Sequence, residues 1–262
     1  MSSDTRGAIP NIAPASAKAS AAAGSPTFSP LYQQIKGLIT QGLEAGEWKP
    51  GDMIPSEIEL AARFKVSQGT VRKAVDELAA EHLLVRRQGK GTFVASHTEP
   101  RTQFRFLRLT PNEGEPRYPE STILECRRIR APAEIGRALE LKAGDSVITI
   151  KRMLAFEGVP CVLDEIWLPG GLFKGLTAER LTASKAPLYS LFESEFGTKM
   201  IRADEKVRAI AADAATAQLM QVAPDSPLLS VERLTYTYGE RPVEVRKGLY
   251  ITRDFHYHNE LI

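Results

Sequence analysis

The stretch PSEIELAARFKVSQGTVRKAVDEL, residues 55–78, decides the fold of the first ordered part of this chain. Ser56 is followed three residues later by Glu59, a capping box that predicts the start of a short helix ending near Phe64. Ser67 is a second predicted N-cap, and it precedes an apolar stripe at helical spacing made of Val71, Ala74, Val75 and Leu78. The stretch therefore predicts two helices joined by a turn.

The sequences on either side complete a small module. Upstream, an apolar stripe over residues 31–43 predicts a first helix, which ends before the turn signal Pro50-Gly51. Downstream, residues 83–87 and 92–94 are strand-like segments around the glycine-containing turn 88–91, which predicts a hairpin. The predicted order is three helices followed by a two-stranded wing.

The polar face of the third predicted helix has the chemistry of a DNA-reading surface. A recognition helix reads bases mainly from its N-terminal residues, where Gln can pair with adenine and Arg with guanine. Short hydroxyls beside a helix N-terminus lie where backbone N–H groups attract phosphate. The candidates on this face or at its N-terminal edge are Ser67, Gln68, Gly69, Thr70, Arg72 and Lys73.

The wing and the local charge point the same way. The tip of the predicted hairpin contributes Arg87, Gln88, Gly89 and Lys90 as further candidates for DNA contact. Residues 63–95 contain seven Lys/Arg against three Asp/Glu, whereas residues 97–262 contain 23 of each sign. A basic excess confined to one small module is typical of nucleic-acid binding. The alternative is a solvated helix face beside an ordinary hairpin.

The composition is that of an ordinary globular protein. A length of 262 residues, with 43% hydrophobic and 25% charged residues, allows two domains and excludes a fully disordered or fibrous chain. The sequence contains no run of about 18 apolar residues, so no membrane span is predicted. Two cysteines are too few for a disulfide framework, which favours a cytoplasmic location.

The chain divides into four predicted segments. Residues 1–29 are mostly Ala, Ser, Pro and Gly, which predicts a disordered tail. Residues 30–96 form the helical module with its wing, and residues 97–107, which contain Pro100, are the predicted linker. Residues 108–262 mix helical and strand patterns, which predicts an α+β fold built on a mostly antiparallel sheet.

Residues 30–96 also carry an ordered set of short motifs: Pro30-Leu31-Tyr32, Gly46-x-x-x-Pro50-Gly51, Pro55-Ser56-Glu57-x-x-Leu60-Ala61, Val66-Ser67-x-x-Thr70-Val71-Arg72-x-Ala74 and Gly89-x-Gly91-Thr92-Phe93-Val94. These resemble the winged helix-turn-helix domain of GntR-type bacterial regulators. The resemblance implies contact with double-stranded operator DNA through Ser67, Gln68, Gly69, Thr70, Arg72, Gln88, Gly89 and Lys90. Ile58 and Gln68 stand where many members have arginines that contact DNA, so we expect an unusual operator.

Residues 108–262 carry looser motifs, including Leu139-x-Leu141-x-x-Gly144-Asp145, Gly158-x-Pro160-x-x-x-Asp164, Leu188-Tyr189-x-x-Phe192-Glu193, Val231-Glu232-Arg233 and Arg241-Pro242-Val243-Glu244. They resemble the UTRA effector domain of the HutC-type branch of the same family. The resemblance implies a chorismate-lyase-like fold and a site for a small-molecule effector. An effector that binds one arrangement of the protein better than another would change its affinity for the operator.

The resemblance implies effector-binding roles for Arg152, Asp164, Tyr189 and Glu244. An arginine offers a planar two-donor fork to a carboxylate or phosphate, so the expected effector is anionic. Arg246 joins the set because it lies one alternation beyond Glu244, on the same sheet face. Leu154 replaces a second arginine of phosphosugar-binding relatives, which favours a lighter anion such as an organic acid. The alternatives are a surface strand charge at Arg152 and a simple pairing of Glu244 with Arg246 along an exposed face.

The favoured function is a ligand-gated repressor that binds operator DNA as a homodimer, since one winged helix reads only a few base pairs. A chorismate-lyase-like enzyme fused to a DNA-binding module and an architectural DNA binder without a ligand remain open. No nucleophile–base pair stands out in residues 108–262, so neither a catalytic residue nor a cofactor is predicted. His256 and His258 alternate but lack a third ligand, so no metal site is predicted.

Overall fold

The computed structural model describes four ranges of the chain, residues 29–98, 106–114, 118–184 and 186–259. Residues 1–28 of the predicted tail and residues 99–105 of the predicted linker lie outside these ranges. From Leu31 onward, the described residues belong to one unit by their contacts.

The N-terminal module consists of α1 (Leu31–Glu44), α2 (Glu57–Phe64), α3 (Gln68–Ala80), β1 (Leu84–Arg87) and β2 (Gly91–Val94). Both predicted N-caps are confirmed. Ser56 accepts a hydrogen bond from the Glu59 amide in a complete capping box, and Ser67 accepts one from the Thr70 amide. The two wing strands pair antiparallel, and the apolar stripes of the three helices form one buried core. The predicted winged helix-turn-helix is therefore confirmed.

A six-stranded antiparallel sheet dominates the rest of the chain. The strands are β3 (Leu109–Pro111), β4 (Glu120–Arg130), β5 (Ser146–Phe156), β6 (Val159–Pro169), β7 (Arg202–Ala211), β8 (Pro227–Tyr236), β9 (Pro242–Tyr250) and β10 (Phe255–Tyr257). The large sheet has the order β4-β5-β6-β9-β8-β7, and β3 pairs separately with β10. This arrangement confirms the predicted α+β class with its antiparallel sheet.

Helices cover both faces of the large sheet, and they are α4 (Ala133–Ala138), α5 (Ala178–Ala183), α6 (Leu188–Phe196) and α7 (Ala214–Met220). Successive side chains of a strand point to opposite faces. Accordingly, Val147 and Met153 of β5 pack with residues of α4 and α7, respectively. Ile148 and Ile150 pack with residues of α5 and α6 instead. The even-numbered residues of β5 therefore lie beneath α5 and α6.

The two edge strands β4 and β7 are elements that the sequence pattern does not predict. Most residues of both strands are solvent-exposed, and each strand carries charged side chains along its length. An edge strand has less apolar surface to bury, so its alternation of polar and apolar residues is weak. The hydrophobic pattern consequently reveals the four inner strands better than the edges.

Helix α6 holds the end of the N-terminal module. The Ser190 hydroxyl donates to the carbonyl of His97 at 2.6 Å. The amide of His97 in turn donates to the Glu193 carboxylate at 3.1 and 3.2 Å. Tyr238 and Ile201 pack against the core of the helical module.

Among the described residues, no helix combines the length and apolarity needed to cross a membrane.

Candidate DNA-binding surface and effector cavity

The candidate DNA contacts form one solvent-facing surface. Helix α3 buries its apolar stripe, and this orients its opposite face outward. Nine of the predicted contacts are exposed and the tenth, Thr70, is partly buried; the exposed ones are Ser67, Gln68, Gly69, Arg72, Lys73, Arg87, Gln88, Gly89 and Lys90. The Ser67 hydroxyl lies 2.8 Å from that of Thr70 and also caps α3, so these two groups stabilise the helix end as well.

A groove of about 740 Å³ joins the start of α3 to the wing. Gln68 lines it on the helix side, and Arg87, Gln88 and Gly89 line it on the wing side. Gly89 has a φ of +69°, which a glycine adopts without strain and which the tight turn requires. The fold therefore brings together two groups of candidate residues that are about 20 positions apart in the sequence.

Glu57 at the start of α2 organises the arginines beside this groove. Its carboxylate accepts from Arg72 Nε at 2.9 Å and from Arg86 at 2.9 Å, and the Gln68 side chain donates to it at 3.4 Å. Arg86 also pairs with Asp76 at 2.8 Å. Sequence reasoning assigned no role to Glu57, although an acidic residue beside a basic face was visible in the Pro55-Ser56-Glu57 motif.

Two other candidate cations lie over aromatic rings. The ammonium of Lys73 is 3.8 Å from the centre of the Tyr32 ring, and the guanidinium of Arg87 is 4.3 Å from that of Phe93. Cation–π contacts of this kind are weakly attractive at exposed sites, and they leave the charge of the cation intact. The rings therefore position both cations on the outer surface of the module.

The C-terminal sheet carries a cavity of about 490 Å³ under α5 and α6. Three of the five predicted effector residues line it, namely Arg152, Tyr189 and Arg246. Asp164 and Glu244 are 1% and 0% exposed and lie behind the arginines instead of facing the cavity. The alternative of a surface charge at Arg152 is wrong, because this residue is only 8% exposed.

Asp164 on β6 joins two of the arginines. Arg152 donates to its Oδ2 atom through two nitrogens, at 2.9 and 2.7 Å, and Arg246 donates to the same oxygen at 3.3 Å. Although burial alone would raise it, the charges of Arg246 and Arg152 hold the pKa of Asp164 below its ordinary value. Gly248 lies directly opposite Asp164 on β9. Asp164 therefore fixes the orientation of both guanidinium groups.

Glu244 on β9 performs a similar task. Its carboxylate accepts from the Tyr189 hydroxyl at 2.6 Å, from Thr235 at 3.2 Å and from Arg246 at 3.0 Å. Burial, together with the Glu244 charge, raises the pKa of Tyr189, so its hydroxyl stays protonated and donates. Glu244 and Arg246 do pair, but the alternative that they pair along an exposed face is wrong, because the contact is buried in the cavity wall.

Arg233 is a third cavity arginine that sequence reasoning missed. It lies on β8 directly opposite Arg246 of β9, is 3% exposed and lines the cavity. Its Nε atom donates to Glu205 at 2.6 Å, and its guanidinium lies 5.7 Å from the centre of the Phe106 ring. The Val231-Glu232-Arg233 motif contained it, but its cross-strand position opposite Arg246 depends on the hairpin register.

Two polar atoms in this cluster have no hydrogen-bond partner in the described structure, Asp164 Oδ1 and Arg246 Nε. Buried polar atoms are nearly always paired, so an unsatisfied one signals a site at which a ligand or water supplies the partner. Both atoms are enclosed by protein, so neither is open to the cavity in this structure. The three arginines that line the cavity can donate to an acceptor of a ligand through the parts of their guanidinium groups that face it.

The histidines and cysteines at the margins of the domain give no further site. His256 ends up beside Asn112, with its Nδ1 atom 3.0 Å from the amide oxygen, and His258 follows the end of β10. Within the described ranges, no group of three or more His, Cys, Asp or Glu residues has the arrangement of a metal site. Cys161 is buried, which raises the pKa of its thiol to about 12.

Comparison with protein families identifies both parts of the chain. The family described as bacterial regulatory proteins, gntR family, matches residues 31–94, and the UTRA domain matches residues 115–256. The second match alone spans more than half of the chain. Both matches fall inside the two regions whose folds were predicted from sequence.

Individual relatives agree with these matches. The mannosyl-D-glycerate transport/metabolism system repressor of Escherichia coli K12 is 28% identical, over 86% of this chain and 93% of its own length. The histidine utilization repressor of Pseudomonas putida is 28% identical, over 82% and 85%. The solved ligand-binding domain of a protein described as a GntR-family regulator from Bordetella bronchiseptica is 61% identical, with a TM-score of 0.57, over 59% of this chain and 96% of its own.

These families are transcriptional regulators and not enzymes, so the chorismate-lyase-like enzyme is rejected. The chain belongs to the GntR family of transcriptional regulators, in its HutC-type branch, and combines a winged helix-turn-helix DNA-binding domain with a UTRA effector domain.

Proposed function

We propose that this regulator is a cytoplasmic repressor that binds its operator as a homodimer and responds to a small anion bound in the C-terminal cavity. The observation that carries the proposal is the pairing of an exposed basic reading surface with a buried arginine-lined cavity in one chain. The two relatives named above are repressors, which supports the same direction of control.

The DNA contacts of the proposal come from α3 and the wing. Gln68 and Arg72 face the bases of the major groove, and Ser67, Gly69, Thr70 and Lys73 contact the backbone nearby. Arg87, Gln88, Gly89 and Lys90 of the wing contact the adjacent backbone or minor groove. The exposure of these residues and the groove between α3 and the wing support this assignment. On binding, Arg72 would leave the Glu57 carboxylate for a base edge.

The effector site of the proposal centres on Arg152, Arg246 and Tyr189, with Arg233 added from the cavity wall. Asp164 and Glu244 position these side chains and do not touch the ligand. Their burial behind the arginines supports a positioning role. A guanidinium held rigidly in a partly dehydrated cavity binds an anion more strongly than one in water.

Helix α6 is the proposed route from the cavity to the DNA-binding domain. Tyr189 at its start faces the cavity, while Ser190 and Glu193 on the same helix hold the backbone of His97. The His97 ring also contacts that of Tyr189, with centres 5.6 Å apart. A ligand that moves Tyr189 would therefore change the hold on the segment that follows the wing, and so favour one domain arrangement over another.

The homodimer follows from the demands of recognition. A single winged helix reads only a few base pairs, so a specific site requires two copies related by a two-fold axis. The test is footprinting of the full chain on DNA that flanks its own gene, combined with sedimentation of the complex. We expect a two-fold symmetric protected site occupied by two chains. An asymmetric footprint with one chain would contradict the dimer, and absence of any footprint would contradict specific binding by this chain.

A further inference from the structure

We infer that the C-terminal cavity selects a monocarboxylic acid with an apolar body, in preference to a phosphorylated sugar. This inference rests on the proposed function, because it specifies the effector of the same cavity. It is carried by the charge balance of the cavity wall, by the arginine donors that line it, and by the apolar and aromatic side chains beside them.

The charges around the cavity nearly cancel. Arg152 and Arg246 are joined by ion pairs to Asp164 and Glu244, and Arg233 is paired with Glu205. Three cations therefore face three anions. A doubly charged phosphate ester entering this wall would approach two buried carboxylates without a matching excess of positive charge, which costs free energy in a partly dehydrated cavity. A singly charged ligand meets a smaller penalty.

The donors nonetheless point to an anionic head group. The arginines line the cavity while Asp164 and Glu244 lie behind them, so along this wall the ligand faces N–H groups and not carboxylates. Arg152, Arg233 and Arg246 all line the cavity, so part of each guanidinium group faces the ligand space. A carboxylate is flat, carries one charge, and offers two acceptors that match the fork of a guanidinium. It therefore matches the guanidinium donors of the cavity wall with the least excess charge.

The apolar part of the cavity wall suits a ligand body without hydroxyl groups. Of the polar lining residues outside the arginine cluster, Glu120, Ser121, Thr122 and Thr182 are solvent-exposed and Ser184 is partly buried. The rings of Phe106 and Tyr189 meet edge to face, with centres 5.3 Å apart, and form an aromatic wall. A sugar ring packed against these two rings would leave the hydroxyl groups that face them without partners, which costs free energy for each group. An aryl or aliphatic body instead buries apolar surface. Apolar side chains from β5, α5, α6 and the segment before β3 line the cavity, namely Phe106, Leu107, Leu154, Leu181, Leu188 and Leu191.

Calorimetry on the full chain tests the selectivity with simple probes. Phenylacetate and hexanoate supply head and body, acetate supplies the head alone, 2-phenylethanol supplies the body alone, and glucose 6-phosphate supplies a polar dianion. We expect phenylacetate or hexanoate to bind about tenfold or more tightly than each of the other three probes. Tighter binding of glucose 6-phosphate, or no binding of either acid at millimolar concentration, would overturn the inference.

A matched variant separates body from head. Leu188→Ser replaces an apolar group at the start of α6, and its partial exposure makes the fold tolerant of the change. We expect it to weaken binding of the preferred acid about three- to tenfold and to leave acetate unchanged. An equal loss for acetate, or no loss for the acid, would place the apolar body elsewhere.

The operator separates this inference from the proposed function. If the acids bind selectively but none changes operator affinity in a gel-shift titration, the ligand class stands and the proposed regulation is wrong. If glucose 6-phosphate instead binds more tightly and releases the operator, regulation stands and the ligand class is wrong.

Discussion

The same arrangement of side chains, one carboxylate between two arginines, occurs at two places in this regulator. In the winged helix, Glu57 joins Arg72 to Arg86, and these arginine side chains are 56% and 43% exposed. In the UTRA domain, Asp164 joins Arg152 to Arg246, whose side chains are 10% and 8% exposed. The two clusters have similar chemistry and opposite environments.

The difference in exposure gives the two clusters different ways to meet a partner. An exposed ion pair contributes little stability, so Arg72 can leave Glu57 for a phosphate or a base edge at small cost. Buried arginines cannot leave their carboxylate without leaving it as an unpaired buried charge, so a ligand has to bind while these ion pairs stay intact. The surface cluster is therefore suited to a partner that displaces it, and the buried cluster to a ligand that adds to it.

The substitution with the largest expected effect removes the carboxylate of the buried cluster and lowers the stability of the protein. Asp164→Ala leaves Arg152 and Arg246 buried with one carboxylate fewer, so we expect a loss of about 3–5 kcal/mol in the free energy of unfolding. The matched change Glu57→Ala should cost about 1 kcal/mol or less, because water screens its arginines. Denaturant unfolding of the three proteins measures both values, and equal losses would contradict the comparison.

The next substitution removes one arginine of the surface cluster and lowers the affinity for the operator. Arg72→Ala should weaken operator binding by about 1–3 kcal/mol if this side chain reads a base, and it should leave the melting temperature nearly unchanged. Arg253→Ala, at an exposed position on the C-terminal domain, is the control and should bind DNA normally. An unchanged gel-shift affinity for Arg72→Ala would remove α3 from base readout.

The smallest effect is expected from a substitution that keeps the shape of the Glu57 side chain and removes only its charge. Glu57→Gln releases Arg72 and Arg86 from a carboxylate and reduces repulsion of phosphate. We expect binding to unrelated DNA to tighten by up to about fivefold, equivalent to about 1 kcal/mol, while operator binding changes less. The measurement is a pair of salt titrations, on operator and on unrelated DNA. Weaker binding to unrelated DNA would show that Glu57 orients the arginines for contact instead of holding them back.

Sequence reasoning succeeded best where structure depends on neighbouring residues. Ser56 and Ser67 each cap a helix by accepting a hydrogen bond from the amide three residues later, which the sequence shows directly. The two glycines that flank Lys90 likewise indicate the turn of the wing. Solvent exposure of Gln68 follows from helical spacing alone. Local patterns in the sequence are therefore enough to outline the candidate DNA-binding surface.

The C-terminal cavity proposed as the effector site depends on pairing between distant strands, which local patterns specify poorly. Alternation along β9 placed Arg246 beside Glu244, as the structure confirms. Register between β8 and β9 decides that Arg233 faces the same cavity, and register cannot be read from one strand. Burial also separates Asp164, which lies behind the arginines, from Arg152, which lines the cavity.

Gly248 has no functional group, yet the buried cluster depends on its lack of a side chain. A Cβ atom there would lie 2.6 Å from Cε2 of Tyr250 and 3.0 Å from Oδ1 of Asp164. Tyr250 is buried and cannot swing aside, so even alanine would push against the carboxylate that orients the arginines. In a complete scan of single substitutions, Gly248 should therefore tolerate as little variation as the arginines themselves, and a search for important positions by chemical reactivity alone would overlook it.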